Sequence, residues 1–445
     1  MKHGRRVYIE TFGCQMNERD SALMADLCQE AGYQPTAAMG EADLVIINTC
    51  SVRRKAEEKV YSLLGRLGQS KRRRPGLKVA VSGCVAQQEG AALCERMPHV
   101  DLVLGPQGIY RLPALLRELE AGGAPRVETA LAADFRIPML LPRSAGASPG
   151  HKAFVTIMQG CNNFCAYCVV PYTRGREISR PADDILAEIE HLCRHGVREV
   201  TLLGQNVNSY GKDGRQQVDF PRLLTLVAAV PGLARLRFTT SHPKDLSDDL
   251  VALFADLAVL CPHLHLPVQS GANRILARMN RRYTREAYLE RVAALRQARP
   301  DVALTTDIIV GFPGESEADF QETMRLVEEV RFHGAFSFKY SDRPPARAAA
   351  MDDKVPAATQ QDRLARLQAS QAAITRERHA ELVGQTIPVM ADGPARQAGQ
   401  WTGRTPTNLV VNFLAQGITP GTVLPVRVQE ACAHSLRGVV FAAGT

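Results

Sequence analysis

A chain of 445 residues, 45% hydrophobic and 22% charged, can bury two or three cores, which excludes disordered, fibrous and low-complexity proteins. No run of 18 apolar residues occurs, and MKHGRRVYIETFGC turns polar before a signal-peptide core develops, so a cytoplasmic protein with no membrane segment is expected. The 54 Lys and Arg against 46 Asp and Glu leave +8, which suits a polyanionic partner, and 11 cysteines are too sparse for a disulfide scaffold, so the clustered ones point to metal binding or catalysis.

RRVYIETFGC, DLVIINTC and LKVAVSGC are short β-branched runs, each followed by a helical pattern, and a fourth run, VDLVLGP, closes the series. Strands alternating with helices predict a parallel α/β sheet. Cys14, Cys50 and Cys84 fall just beyond the carboxyl ends of the three predicted strands, where open α/β sheets place their ligands. Three thiols at one topological position predict a shared three-thiolate site. The basic run SKRRRPG, Lys71 to Arg74, is a solvated loop or a polyanion contact, and RIPMLLPRSAGASPG, Arg136 to Gly150, reads as a linker.

Beyond the linker, KAFVTIMQ, REVTLLG, ARLRFTTS, HLHLPVQ, VALTTDIIVGFPG and GAFSFKYS alternate with helical stretches. Six such units predict a barrel or part of one, with functional loops at the carboxyl ends of its strands. At the first of these ends QGCNNFCAYCVVPY carries Cys161, Cys165 and Cys168. A structural zinc ion wants four ligands, which would require His151 or His191 to join them, and a bacterial ferredoxin run would need four cysteines. Three thiolates on a four-iron cube leave one iron open, which suits direct ligation of S-adenosylmethionine. Cys28, Cys94, Cys193, Cys261 and Cys432 stand alone and are read as small buried hydrophobes.

SDRPPARAAAMDDKVP interrupts the alternation and QQDRLARLQASQAAITRERHAELVG reads as a long polar-faced helix. TIPVMAD, QWTGRT, NLVVNF, TVLPVRVQE and RGVVFA then have the spacing of a small β-barrel. Its Arg396, Arg404, Arg427 and Arg437 suit a phosphate backbone, with Trp401 and Phe413 either stacking surfaces or barrel core. The expected fold class is α/β: an N-terminal parallel α/β domain (1–135), a partial (β/α)6 barrel (147–378) and a small C-terminal β-barrel (380–443).

CxxxCxxC after the first strand of a six-unit core, with Tyr167 before the third cysteine, resembles the radical S-adenosylmethionine superfamily. The resemblance implies that the open iron chelates the amino and carboxylate groups of S-adenosylmethionine and that the reduced cluster cleaves its sulfur–C5′ bond. It also implies that Tyr167, Gly204, Gln205, Ser241, Gln269 and Gly311 hold the rest of the cofactor. The second triple, Cys14, Cys50 and Cys84, and a terminal barrel similar to the TRAM domain extend the likeness to the methylthiotransferases, which implies two [4Fe-4S] clusters. TFGCQMNERDS, NTCSVRRKAEEKVYSLLG, CVVPYTRGREISRP and GRTPTNLVVNF look like the bacterial branch acting on N6-(dimethylallyl)adenosine beside the tRNA anticodon. The same chemistry on N6-threonylcarbamoyladenosine or on a ribosomal-protein aspartate is the near alternative, and a zinc-dependent RNA-binding protein without catalysis the remote one. The partners implied are a tRNA anticodon stem-loop, an electron donor such as flavodoxin or ferredoxin, and an iron–sulfur carrier; a monomer is expected. Leu409 stands where the family usually has arginine, and SDRPPARAAAM replaces its usual loop, departures that bear on RNA contacts.

Overall fold

Strand–helix alternation is what the first part of the chain builds. The computed structural model describes residues 4–441 other than 52–53, 133, 142–149 and 398, so most of the expected linker at 136–150 lies outside the described residues. The chain divides into two units, one of residues 1–143, 158–162 and 170–180 and the other of residues 144–157, 163–169 and 181–445.

In the first unit, β1 (Arg5–Phe12), β2 (Tyr33–Pro35), β3 (Leu44–Thr49), β4 (Lys78–Gly83), β5 (Leu102–Leu104) and β6 (Arg126–Glu128) form one sheet. Its order is β2-β1-β3-β4-β5-β6, and every pairing is parallel. Parallel sheets are covered on both faces, and all six residues of β3 are buried. Its alternation sends Leu44 and Ile46 to one core, with Leu23, Met24 and Leu27 of α1 (Gln15–Glu30). Val45 and Ile47 go to the other, with Val60, Leu63, Leu64 and Leu67 of α2 (Arg54–Arg73). Two cations of the basic run are structural: Lys71 pairs with Asp101 at 2.5 Å and Arg74 donates to the carbonyls of Gly40 and Ala42. Arg72 and Arg73 remain exposed.

The second unit opens with β7 (Lys152–Thr156). The expected single strand KAFVTIMQ ends early. The Ile157 N–H still bonds to Leu203, but β8 (Met158–Gln159) pairs antiparallel with β9 (Ile178–Ser179), and both belong to the first unit. β10 (Glu199–Leu203), β11 (Arg235–Phe238), β12 (His263–His265), β13 (Ala303–Val310) and β14 (Gly334–Lys339) complete the expected series. They form two parallel sheets, β7-β10-β11 and β12-β13-β14, joined by a parallel bridge between Leu236 and Leu260. Six strands in chain order make an open, partial barrel. The helix Ala357–Ala380 then leads into β15 (Thr386–Pro394), β16 (Gln400–Arg404), β17 (Val410–Leu414), β18 (Val423–Ala431) and β19 (Leu436–Val440), closed as a five-stranded barrel.

This small barrel sits on the amino-terminal ends of the core strands. Arg235 donates to the carbonyls of Arg404 (2.7 Å) and Pro388 (3.1 Å), and Arg237 to those of Pro406 (2.8 Å) and Thr405 (2.9 Å). Buried Glu199 lies 3.2 Å from Arg237 and 3.7 Å from Arg235, and Lys152 pairs with Asp392 at 2.5 Å. Buried guanidiniums need both hydrogen bonds and a counter-charge, and here the barrel supplies the first and the core the second. Phe413 is 1% exposed and Trp401 packs against the same core, as does Leu409. Of the two readings of these aromatics, the structure selects barrel core.

Candidate active site

The first thiol triple follows from strand register. Phe12 lies opposite Thr49, and Thr49 opposite Gly83, so β1, β3 and β4 end level with one another. Cys14, Cys50 and Cys84 therefore leave three adjacent central strands at the carboxyl end of the sheet. Gly83 makes the close approach possible: it has a φ of +93°, and a Cβ there would meet the Thr49 carbonyl at 2.3 Å. Asn17 and Asn48, both buried, lock this end. Asn17 Nδ2 donates to Asn48 Oδ1 at 3.0 Å and to the Thr49 carbonyl at 3.1 Å, and Asn48 Nδ2 donates back to the Asn17 carbonyl at 2.8 Å.

Cys14 caps α1. A hydrogen bond with Cys50 draws its thiol down to about 6, against burial, helped by the backbone N–H of Asn17, the Arg174 charge and the N–H of Met16. Arg174 is a residue that sequence reasoning missed. It is buried in the first unit with its Nη2 at 2.7 Å from Asp20 Oδ2. Burial works against its charge, but Asp20, Cys84 and Cys14 hold the proton on and shift its pKa up. Cys14 and Cys84 lie within electrostatic reach of this buried cation and Cys50 is hydrogen-bonded to Cys14, a donor set beside a positive charge that suits an anionic group.

The second triple lies on one continuous segment. Cys161, in the first unit, donates its N–H to the Gly175 carbonyl at 3.2 Å. Cys165 and Cys168 lie in the second unit on a loop held from several sides. The Ala166 N–H bonds to the Met279 carbonyl, the Ala348 N–H to the Ala166 carbonyl, and the Cys168 N–H to the Cys165 carbonyl. Asn280 Nδ2 donates to the carbonyls of Asn163 and Phe164. Buried Arg281 donates to Cys165 Sγ and to Tyr167 Oη, each at 3.4 Å, and to the Pro267 carbonyl at 2.6 Å. Among the described residues no three Cys, His, Asp or Glu side chains gather as they would around a single metal ion. A cubane differs, because each thiolate takes a separate corner iron.

The solitary cysteines are of the other kind. Cys28 and Cys261 are buried as expected, whereas Cys94, Cys193 and Cys432 are only partly buried; burial pushes the Cys28 thiol up to about 12 and raises those of Cys94, Cys193 and Cys261, which disfavours the reactive thiolate.

The six residues carried over for the cofactor are all in the second unit. Gly204 and Gln205 follow β10, Ser241 follows β11, Gln269 follows β12 and Gly311 follows β13, at the carboxyl ends of strands, and Tyr167 lies in the cysteine loop. Ser241 Oγ is buried with no hydrogen-bond partner among the described residues, an arrangement that a ligand would relieve. Thr240 and Gln269 have φ of +68° and +72°, left-handed conformations that concentrate at ligand clamps. Gly311, φ +69°, donates its N–H to Glu315 Oε2 at 2.6 Å, and Arg363 Nη1 donates to the same oxygen at 2.8 Å. Glu315 is a second residue that local pattern did not reveal, and it braces the turn from beneath.

Three family models match the chain: the uncharacterized protein family UPF0004 over residues 6–105, the radical SAM superfamily over 155–327 and the TRAM domain over 380–441. The chain is 51% identical to the tRNA-2-methylthio-N(6)-dimethylallyladenosine synthase of Syntrophobacter fumaroxidans, covering 98% of this chain and 95% of that one. It is also 51% identical to the synthase of Geobacter metallireducens, covering 97% of each. Among solved structures, the radical S-adenosylmethionine methyltransferase TsrM from Kitasatospora setae, with cobalamin and a [4Fe-4S] cluster bound, superposes with a TM-score of 0.58. Its identity is 15%, over 78% of this chain and 77% of that one, a likeness of fold.

Proposed function

The chain belongs to the tRNA-2-methylthio-N(6)-dimethylallyladenosine synthase family, and from that premise we propose how its residues divide the reaction. It is a radical SAM methylthiotransferase acting on tRNA, and its superfamily implies S-adenosylmethionine and a [4Fe-4S] cluster. When bound, these supply reductive cleavage of S-adenosylmethionine and hence the means of activating an inert C–H bond.

In this reading Cys161, Cys165 and Cys168 hold the radical cluster, and Arg281 and Tyr167 fix the loop beside it. Gly204, Gln205, Ser241, Gln269 and Gly311 at the strand ends, with Tyr167 in the cysteine loop, hold S-adenosylmethionine. Cys14, Cys50 and Cys84 would hold a second [4Fe-4S] cluster, which would supply the sulfur for C2 of N6-(dimethylallyl)adenosine at position 37. The domains are 1–135 for that cluster, 147–378 for the radical core and 380–443 for RNA. The enzyme works in the cytoplasm as a monomer, on the anticodon stem-loop, with flavodoxin or ferredoxin as reductant and a carrier that loads its clusters. The observation that most supports the second cluster is the level ending of three adjacent strands, each followed by a cysteine, beside buried Arg174.

The test is nucleoside analysis of tRNA from a deletion strain. The 2-methylthio derivative should disappear and N6-(dimethylallyl)adenosine accumulate; loss of a methylthiolated threonylcarbamoyl nucleoside instead would overturn the substrate assignment.

In the barrel, Arg396 and Arg427 are exposed, whereas Arg437 pairs with Glu430 at 3.0 Å and Arg404 donates to the Asn408 carbonyl at 3.2 Å. Affinity for tRNA should fall steeply with salt. Arg396→Ala and Arg427→Ala should each reduce the slope of log K against log salt by about 0.7–0.9, the value for one phosphate contact. Unchanged slopes in filter binding would remove both residues from the RNA surface.

A further inference from the structure

The sheet β12-β13-β14 has one closed face and one open face. On the closed face Leu264, Leu304, Thr306, Ile308 and Val310 are fully buried. The open face carries His263, His265, Thr305, Asp307 and Phe336. Register places His265 opposite Thr305 and Asp307 opposite Phe336, and contacts confirm the shared face. Thr305 Oγ1 lies 3.4 Å from His263 Nε2 and 3.1 Å from His265 Nδ1, and His265 Nε2 lies 3.5 Å from Asp307 Oδ1. The Phe336 ring stands edge-on to His265 with centroids 6.2 Å apart, and Phe336 is 57% exposed.

Two features are anomalous for a protein interior face. A phenylalanine in mid-strand is left uncovered beside a polar cluster, giving the face one flat apolar surface on which a ring could lie. The polar groups also form a chain with a consistent direction. His263 is neutral, held down to about 3 chiefly by burial, with the positive charges of Arg237 and Arg404 adding to it. A neutral His263 can donate from Nε2 to Thr305, the Thr305 hydroxyl can then donate to His265 Nδ1, and His265 Nε2 is left 3.5 Å from Asp307 Oδ1. The chain ends on the Asp307 carboxylate, whose second oxygen has no hydrogen bond from the described residues and can accept one.

Resting on the proposed substrate, we infer that this open face holds the target nucleobase, with Phe336 against the ring and its N6-dimethylallyl group and Asp307 accepting the one remaining N6–H. Adenine presents a donor at N6 where guanine presents an acceptor at O6, so an oriented carboxylate selects the former and repels the latter. Stacking on an aromatic is the usual way a protein holds an unpaired base. The same strands run on to Gln269 and Gly311, so a base on this face lies below the end where the cofactor is proposed to bind.

The experiment uses anaerobically reconstituted enzyme and synthetic anticodon stem-loops bearing N6-(dimethylallyl)adenosine, adenosine, or N6-methyl-N6-(dimethylallyl)adenosine at position 37, the last lacking an N6–H. Wild-type binding should be weaker for the N-methylated probe by about 10-fold or more, since an unmet buried acceptor is costly. Asp307→Ala should bring that ratio close to one. Phe336→Ala should weaken the dimethylallyl probe more than the adenosine probe, and because Phe336 is exposed this variant keeps the test sound if Asp307→Ala fails to fold. An unchanged ratio in Asp307→Ala, or equal losses for both probes in Phe336→Ala, overturns the assignment. Methylthiolation by wild-type enzyme is measured alongside, and its absence would count against the proposed function rather than against this face.

Discussion

Replacing Cys165 by alanine is expected to abolish both S-adenosylmethionine cleavage and methylthiolation, whereas Cys50→Ala should lose methylthiolation yet still release 5′-deoxyadenosine on reduction. Each proposed cubane has three protein thiolates, so removing one leaves two and that cluster is lost or degraded while the other stays. The structural surroundings favour such a separation. Cys165 is held by Arg281 on a loop of the second unit, and Cys50 lies at the carboxyl end of a central strand of the first, hydrogen-bonded to Cys14. Reconstituted wild-type protein should carry about twice the iron of either variant. The measurements are iron content and chromatographic detection of 5′-deoxyadenosine and of the modified nucleoside. A Cys50→Ala protein with undiminished iron and full methylthiolation would show that Cys14, Cys50 and Cys84 do not serve one cluster.

Arg174→Met should destabilise the first unit by about 3–5 kcal/mol, the usual cost of leaving one partner of a buried ion pair alone. Asp20 would be left in the interior with its 2.7 Å partner gone. The Asp20→Asn/Arg174→Met double variant should recover most of the loss, because it buries no unpaired charge. Urea unfolding of the metal-free proteins measures both. A loss below about 1 kcal/mol in Arg174→Met would mean that the pair is solvated and contributes like a surface bridge. The same substitution removes a cation that lowers Cys14, so the pH midpoint of Cys14 alkylation in metal-free protein should move upward.

What the sequence made legible was local. The two cysteine triples could be placed because βα turns recur at fixed points of the pattern, and the strand runs of the partial barrel and the small barrel carry the β-branched, turn-bounded signal of their elements. What stayed hidden was contact over distance. Arg174 meets Asp20 across 154 residues and Arg281 meets Cys165 across 116, and no local period records such pairings. The break after β7 was missed for a related reason: Met158 and Gln159 look like a continued strand but pair with Ile178 and Ser179. Phe413 illustrates the opposite ambiguity, since an aromatic in a barrel strand has the same local pattern whether it stacks on a base or fills the core.

The seating of the small barrel has a bearing on how truncated forms should be interpreted. A chain cut near Ala380 would lose more than an RNA-gripping module. Arg235 and Arg237 would forfeit the carbonyls of residues 388 and 404–406, and Lys152 would lose Asp392. The amino-terminal rim of the catalytic strands would then hold under-bonded cations around Glu199. Inactivity of such a fragment would report a damaged scaffold as much as a lost grip on RNA. The two halves of this unit are not separable modules, and their roles are better dissected by exchanging single surface side chains than by deletion.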